Sequence, residues 1–181
     1  MDPSDRVGPV LTDGVVRLRP VTPEDVQVAT AWYQDPEVLW GSEGTRDPYS
    51  PGRVARMYEV LGARGEVYIV EMACEGGYRP VGDAALNPSG LPIVIGEAAW
   101  RGRGLGRRVL ALLVARARAL GYRTLHVRQI YCDNIASLRL YQGAGFRIVG
   151  RGVEDGRPFV RLERVLEERP DAFSGDAPPL L

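Results

Sequence analysis

The hydrophobic pattern changes period several times along the chain. Val15-Val16-Arg17-Leu18-Arg19 alternates apolar and polar residues, which predicts a short strand. Thr22 follows as an N-cap, with Pro23 at the first helical position and Asp25 at N3. That helix runs to about Tyr33 and stops at Asp35-Pro36, because a residue before proline avoids the helical region. Residues 34–50 carry turn formers and aromatics and read as a loop. Ser50-Pro51 opens a second helix over roughly 51–62, closed by Gly62 or Gly65. Val67 to Met72 reads as a strand, Gly76-Gly77 as a hairpin turn, and Pro80 to Leu86 as its partner. Leu91 to Ile95 is a third strand of this group. Leu105, Val109, Leu112, Leu113 and Ala117 recur at helical spacing, so a long helix spans 105–119 and ends at Gly121. Leu125 and Val127 alternate in the next strand, and the break near Gln129-Ile130 predicts a bulge or strand end. A helix at 134–143 stops at Gly143 or Gly145. Phe146–Arg151 and Pro158–Val165 are the last strands, joined through Glu154-Asp155-Gly156.

Several neighbouring strands are joined by turns too short to hold a helix. The fold class is therefore α+β: one domain with a mixed, largely antiparallel central sheet of about six or seven strands and about four flanking helices. Its expected extent is 14–168, between a loose arm at 1–13 and a disordered tail at 169–181 with Pro170, Pro178 and Pro179. There are no internal repeats.

Composition narrows the function classes. Apolar residues make up 45% of the 181, enough for a substantial core. The 23 basic and 23 acidic side chains balance, which argues against a nucleic-acid or membrane partner. Every basic residue is arginine, scattered among acids; genome composition and heat tolerance both produce such a bias. Cys74 and Cys132 have no metal-ligand partners at useful spacing, and His126 is the lone histidine, so no metal is expected. With no apolar run of signal or membrane-spanning length, cytoplasm is the default compartment.

The candidate chemistry starts at Arg101-Gly-Arg-Gly-Leu-Gly-Arg-Arg108, between the β-branched run Ile93-Val94-Ile95 and the long helix. A glycine-rich strand-to-helix turn leaves main-chain N–H groups free at the positive end of the helix dipole, a seat for phosphate. The Walker loop fails here, since the chain has no lysine and no Ser or Thr follows Gly106. The dinucleotide fingerprint fails too: from Gly102 its third glycine falls on Arg107, and from Gly104 on Val109. Arg-x-x-Gly-x-Gly, from Arg101 through Gly104 to Gly106, does fit.

That hexapeptide resembles the acetyl-CoA pyrophosphate loop of the GNAT-type N-acetyltransferases. Asn134-Ile-Ala-Ser137-Leu-Arg-Leu-Tyr141-Gln-Gly-Ala-Gly145-Phe146 is similar to the second half of the same fold, and Leu18-Arg-Pro-Val-Thr-Pro-Glu-Asp25 to its start. The resemblance covers roughly residues 15–165, and the stretch from Ile93 to Gly106 is closest to the branch with ribosomal-protein and polyamine N-acetyltransferases.

The resemblance implies transfer of an acetyl group from acetyl-CoA to a primary amine, by direct attack in a ternary complex and without a metal. Gly102, Arg103, Gly104, Leu105, Gly106 and Arg107 would hold the pyrophosphate, with Arg101 as the motif's first residue. Ile93, Val94 and Ile95 would offer a backbone edge to pantetheine and an N–H to the developing oxyanion. Asn134, otherwise a plain N-cap, and Ser137 would contact the cofactor arm. Tyr141 is the candidate general acid, otherwise a half-buried helix aromatic. Glu97 is the first candidate base, with Glu71, Asp83, Glu37 and Glu43 as rivals. Glu37, Trp40 and Glu43, with their neighbours in 34–50, suit a cationic amine such as a polyamine, an aminoglycoside or a protein N-terminus. The acceptor is then a small molecule or a peptide, and a homodimer stays open. The competing classes are a non-catalytic acyl-CoA sensor or assembly module and an arginine-rich RNA binder.

Overall fold

A computed structural model describes residues 8–166. In chain order the elements are β1 (Leu11–Thr12), β2 (Val16–Pro20), α1 (Asp25–Trp32), α2 (Pro36–Ser42), α3 (Pro51–Gly62), β3 (Glu66–Cys74), β4 (Gly77–Leu86) and β5 (Ile93–Ile95). A 3-10 turn, Ala98–Trp100, leads to α4 (Leu105–Ala119), β6 (Thr124–Tyr131), α5 (Ile135–Gly143), β7 (Arg147–Glu154) and β8 (Arg157–Val165). The α+β class is as expected, but the expected central sheet is two sheets. One has the order β1-β2-β3-β4-β5, the other β6-β8-β7, and every pairing is antiparallel. The hairpin at Gly76-Gly77 and the irregularity between Val127 and Ile130 fall where the sequence places them. Leu11 and Thr12, inside the segment expected as an arm, pair with β2. The expected tail lies outside the described residues.

The fifth helix is α2, in the stretch expected as loop. Asp35-Pro36 does end α1, but Pro36 is also the first residue of a new helix. Asp35 caps it by accepting from the Glu37 N–H at 2.9 Å.

The first sheet is covered on both faces, which is why Val67–Met72 is a near-continuous apolar run. Tyr68, Val70 and Met72 of β3 face a core made with Val109, Leu110 and Leu113 of α4. Val67 and Ile69 face a second cluster with Trp32 of α1, Tyr33 just past its end, and Val54 and Tyr58 of α3. Alternation along one strand thus serves two cores. No helix among the described residues is long and apolar enough to cross a membrane. Cys74 and Cys132 are free thiols, and Cys74 is exposed.

Thr22 and Asp25 form one half of a capping box. The Asp25 carboxylate accepts from the Thr22 N–H at 2.8 Å and from both terminal nitrogens of Arg19, at 2.6 and 2.7 Å. Asp25 is 5% exposed. Burial alone would raise its pKa, but the bonds from Arg19 and Thr22 outweigh it and hold the group below the usual range. Stability from a depressed carboxylate is present above its unfolded pKa and lost as pH falls. Asp25→Ala should therefore lower urea stability by about 2 kcal/mol at pH 7, because it removes one of the two carboxylates that hold the partly buried Arg19. The gap between variant and wild type should narrow below about pH 4.

Candidate active site

β5 pairs only with β4, and β6 only with β8. Between these two strands the sheets part, and a cleft of about 1490 Å³ opens. Its walls come from β5, the start of α4, β6, α5, α2 and α3. Single small-molecule pockets span roughly 300–1,000 Å³, so this one has room for two ligands side by side.

One end of the cleft is the glycine-rich turn. Gly102 and Gly104 have φ values of 72° and 81°, and Gly104 is the N-cap of α4. A Cβ at either position would meet nothing within 4 Å. Glycine is therefore needed there for its backbone conformation, and the space above is open. Among the described residues the amides of Gly102 through Gly106 have no protein acceptor; the first bond of the helix start is from Arg107 N–H to Gly104 carbonyl, at 3.1 Å. Five unpartnered amides at the head of a 15-residue helix form an anion seat.

The side chains around that seat divide their work. Arg107 is exposed on the cleft wall with no side-chain partner among the described residues. Arg103 stacks over Trp100 at 5.5 Å and does not line the cleft. Leu105 is buried, so only its amide faces outward chemistry. Gly106 abuts α5: a Cβ there would lie 3.1 Å from Leu140 Cδ2, so this glycine lets two helices meet. Arg101 is committed within the protein. Its Nε donates to Ile95 carbonyl at 2.9 Å, and its Nη2 to Gly96 carbonyl at 2.6 Å and to Asp35 at 2.7 Å. It fastens the end of β5 to the start of α2, and its guanidinium is committed to protein acceptors.

The middle of the cleft is β5. Val94 is buried, Ile93 and Ile95 are half-buried, and the strand's second edge has no strand partner among the described residues. Gly82 of β4 lets β5 lie close, since a Cβ there would fall 2.0 Å from Val94 carbonyl oxygen. Tyr141 of α5 is 4% exposed; its hydroxyl donates to Leu91 carbonyl, two residues before β5, and its ring meets Phe146 edge-on. Burial raises its pKa above the usual phenol value. Asn134 is the N-cap of α5, accepting from the Ser137 N–H at 3.1 Å, while its Nδ2 donates to Gly41 carbonyl at 3.1 Å. It joins α5 to α2, and both Asn134 and Ser137 line the cleft.

At the far end the candidate bases separate. Glu97 does not line the cleft, and its carboxylate accepts from Trp32 Nε1 at 3.2 Å. Glu71 is held by Arg17 and Arg19 at 2.6 and 2.9 Å. Glu43 lines the cleft and accepts from Tyr49 hydroxyl at 3.0 Å; Glu37 lines it with an exposed side chain. Trp40 lies between Arg157 and Arg46, at 3.8 and 4.9 Å. Asp83 of β4 sits opposite Val94 of β5 and is 6% exposed. It accepts from Tyr58 hydroxyl at 2.8 Å and from Tyr33 hydroxyl at 3.1 Å. Burial pushes its pKa up to about 7, more than those two hydrogen bonds lower it. Tyr33 in turn stacks on Tyr49 with centroids 5.6 Å apart.

Four carboxylates are buried among the described residues: Asp25, Glu66, Glu71 and Asp83. Arginines hold the first three, namely Arg19, Arg116 and the Arg17/Arg19 pair. Asp83 has only neutral phenols. A buried carboxylate raised toward neutrality in a cleft is a candidate for proton transfer. Its signal in the sequence is an acid inside the apolar run Val81–Leu86, which ranks it no higher than its rivals.

The chain matches a known family. The acetyltransferase (GNAT) domain matches residues 16–147. The chain belongs to the GNAT family and is an acetyl-CoA-dependent N-acetyltransferase. Solved structures share its fold. A GNAT-family acetyltransferase from Bacillus anthracis aligns at TM-score 0.73 and 9% identity, over 87% of this chain and 98% of that one. The yncA protein of Salmonella typhimurium, solved with its cofactor acetyl-CoA, aligns at 0.67 and 22%, over 87% and 99%. The aminoglycoside acetyltransferase AAC(6')-Ib, solved with coenzyme A, aligns at 0.69 and 21%, over 83% and 94%. No curated protein matches the chain. At these identities no branch within the family is singled out.

A side chain at the αL position Gly104 tests the seat. Gly104→Glu should weaken acetyl-CoA binding by about tenfold or more, since a carboxylate replaces open space at an anion site. Gly104→Asn, which tolerates a positive φ, should bind within a few-fold of wild type. Titration calorimetry beside a melting curve separates lost binding from lost fold.

Proposed function

We propose that the cleft binds acetyl-CoA at the α4 turn and along β5, and places a primary amine against Asp83. The observation that carries this reading is the register of Asp83 opposite Val94, in the same cleft as the five free amides. The amides of Gly102 to Gly106 and the free charge of Arg107 suit a diphosphate. The unpaired edge of β5 suits an extended amide-bearing arm, as an added strand would. Acetyl-CoA supplies an acetyl thioester and leaves as a thiol.

The residues of the chain then divide the proton work. An alkylammonium has a pKa near ~10.4 and must lose a proton before attack. Asp83, ionised above about pH 7, takes it. The neutral amine attacks the acetyl carbon directly, so a C–N bond forms as the C–S bond breaks. A backbone N–H of β5 meets the charge that develops on the carbonyl oxygen. Tyr141 can turn its hydroxyl from Leu91 carbonyl toward the departing sulfur and protonate it; the second proton that the nitrogen sheds as the amide forms restores the phenol, and the proton held by Asp83 passes to solvent. Glu97, tied to Trp32 outside the cleft, leaves the base role to Asp83.

Two variants test these roles. Asp83→Asn should reduce kcat/KM by about 10²- to 10⁴-fold and abolish an acid limb near pH 7 in the pH profile. Its effect on stability should have the opposite sign. A carboxylate with a raised folded pKa costs stability as pH rises from its unfolded value to its folded one and by a constant amount above that, so the variant should gain on wild type between about pH 4 and pH 7 in thermal melts and hold that gain at higher pH. An unchanged pH profile in Asp83→Asn would remove Asp83 from the mechanism. Tyr141→Phe should lower kcat by about ten- to a hundredfold, with acetyl-CoA affinity within a factor of two. A Tyr141→Phe enzyme with wild-type kcat would limit this tyrosine to a packing role.

A further inference from the structure

The two sheets share no ladder among the described residues, so other elements set their spacing on the acceptor side of the cleft. One of these is α2. It has seven residues, too few for a helix to hold its shape alone. Val38 and Leu39 bury it in the apolar cluster of the first sheet. Its last carbonyls, which a helix leaves without internal partners, are taken by side chains from the other side of the cleft. Arg157, the first residue of β8, donates from Nη1 to the Trp40 carbonyl at 2.8 Å, and Asn134 donates to the Gly41 carbonyl at 3.1 Å. Arg157 is itself firmly held. Its guanidinium lies over the Trp40 ring at 3.8 Å and over the Tyr131 ring at 3.7 Å. Its Nε and Nη2 donate to Asp133, at 3.0 and 2.6 Å. The arginine side chain is 11% exposed, against 52% for Asp133. Just past α2, Gly44 at φ 72° abuts the Tyr131 hydroxyl, where a Cβ would lie 2.1 Å away.

We propose that Arg157 is a positioning residue for the acceptor: it locks the C-terminal end of α2 to the second sheet and so fixes the cleft wall that carries Glu37, Trp40 and Glu43. This rests on the acetyl-transfer reading above and adds to it a residue that acts through α2. The two ends of α2 are tied to different parts of the protein. Asp35, its N-cap, pairs with Arg101 ahead of the glycine-rich turn, whereas Trp40 and Gly41 are tied to β8 and α5. Loss of the C-terminal tie alone leaves the glycine-rich turn, β5 and Asp83 in place and frees the acceptor wall. A guanidinium suits this place because its nitrogens must reach a helix carbonyl and a carboxylate from one plane that also lies on aromatic rings. An ammonium keeps the charge and loses that geometry. Half-exposed Asp133 turns to water when its partner is removed, so the cost to the fold is small.

Thiol release from acetyl-CoA is measured with spermidine, paromomycin, L-methionine and ethanolamine, and the fastest of these amines is carried into the variants. Arg157→Gln should raise KM for that amine about tenfold, with kcat within about threefold of wild type and acetyl-CoA affinity by calorimetry within about twofold. Arg157→Lys should stay close to Arg157→Gln, and methylguanidine added to Arg157→Ala should bring KM back toward wild type. Amide hydrogen exchange, read by mass spectrometry without any amine present, should quicken about tenfold in residues 36–42 of Arg157→Gln and stay unchanged in α3. Asp133→Asn loosens the same guanidinium; it should show both effects in weaker form and replaces Arg157→Gln if that variant does not fold. Unchanged exchange in residues 36–42, a wild-type KM, or full recovery by Arg157→Lys would overturn the proposal and leave acetyl transfer standing. A fall in acetyl-CoA affinity that matches the rise in KM would overturn it too, since that marks a general loss of structure. If the wild-type protein turns over none of the four amines, the acetyl-transfer reading fails at its acceptor end and the proposal falls with it.

Discussion

The structure turns on an unpaired edge. Among the described residues β5 bonds to β4 on one side and has no strand on the other, because β6 belongs to a separate sheet. An unpaired edge ordinarily invites unwanted pairing. Here it faces a cleft, and several contacts hold it in place. Gly82 lets β5 lie close to β4, Arg101 binds the carbonyls of Ile95 and Gly96, and Tyr141 binds the carbonyl of Leu91. A strand of only three residues, Ile93–Ile95, gains its position from these neighbours rather than from its own ladder. The glycine-rich turn, the backbone edge and the buried carboxylate all border one cleft.

Electrostatics singles out the reactive end. The chain places arginine beside Asp25, Glu66 and Glu71, where a buried charge would otherwise be costly. It withholds arginine from Asp83 and supplies two phenols instead. Phenols stabilise a carboxylate without neutralising it, so desolvation keeps the upper hand and the group titrates near neutrality. The same cleft is lined by Arg64 and Arg107, which have no side-chain partner among the described residues, and by Arg53, which lies over the Tyr49 ring.

Most elements were legible because their signals are local. The apolar spacing of α4, the hairpin glycines and the break in β6 each reflect a few neighbouring residues. α2 was missed because Asp35-Pro36 both stops one helix and starts another, and a seven-residue helix has little periodicity to read. Arg101 was expected with the phosphate seat because it opens the motif; its bonds to β5 and Asp35 depend on chain folding across more than sixty intervening residues in the case of Asp35. Glu97 and Asp83 could not be ranked, since which carboxylate enters the cleft depends on β4–β5 register and on Trp32 arriving from α1.

The sequence by itself determined the α+β class, the glycine-bearing helix start and the family, because φ-permissive residues and apolar periods act over short spans. Only the tertiary structure decided that the sheet divides, that Asp83 is buried without a cation, and that Arg101 ties the end of β5 to Asp35. Each of those depends on residues dozens of positions apart sharing one low-dielectric space, and a charge's partners there are set by packing.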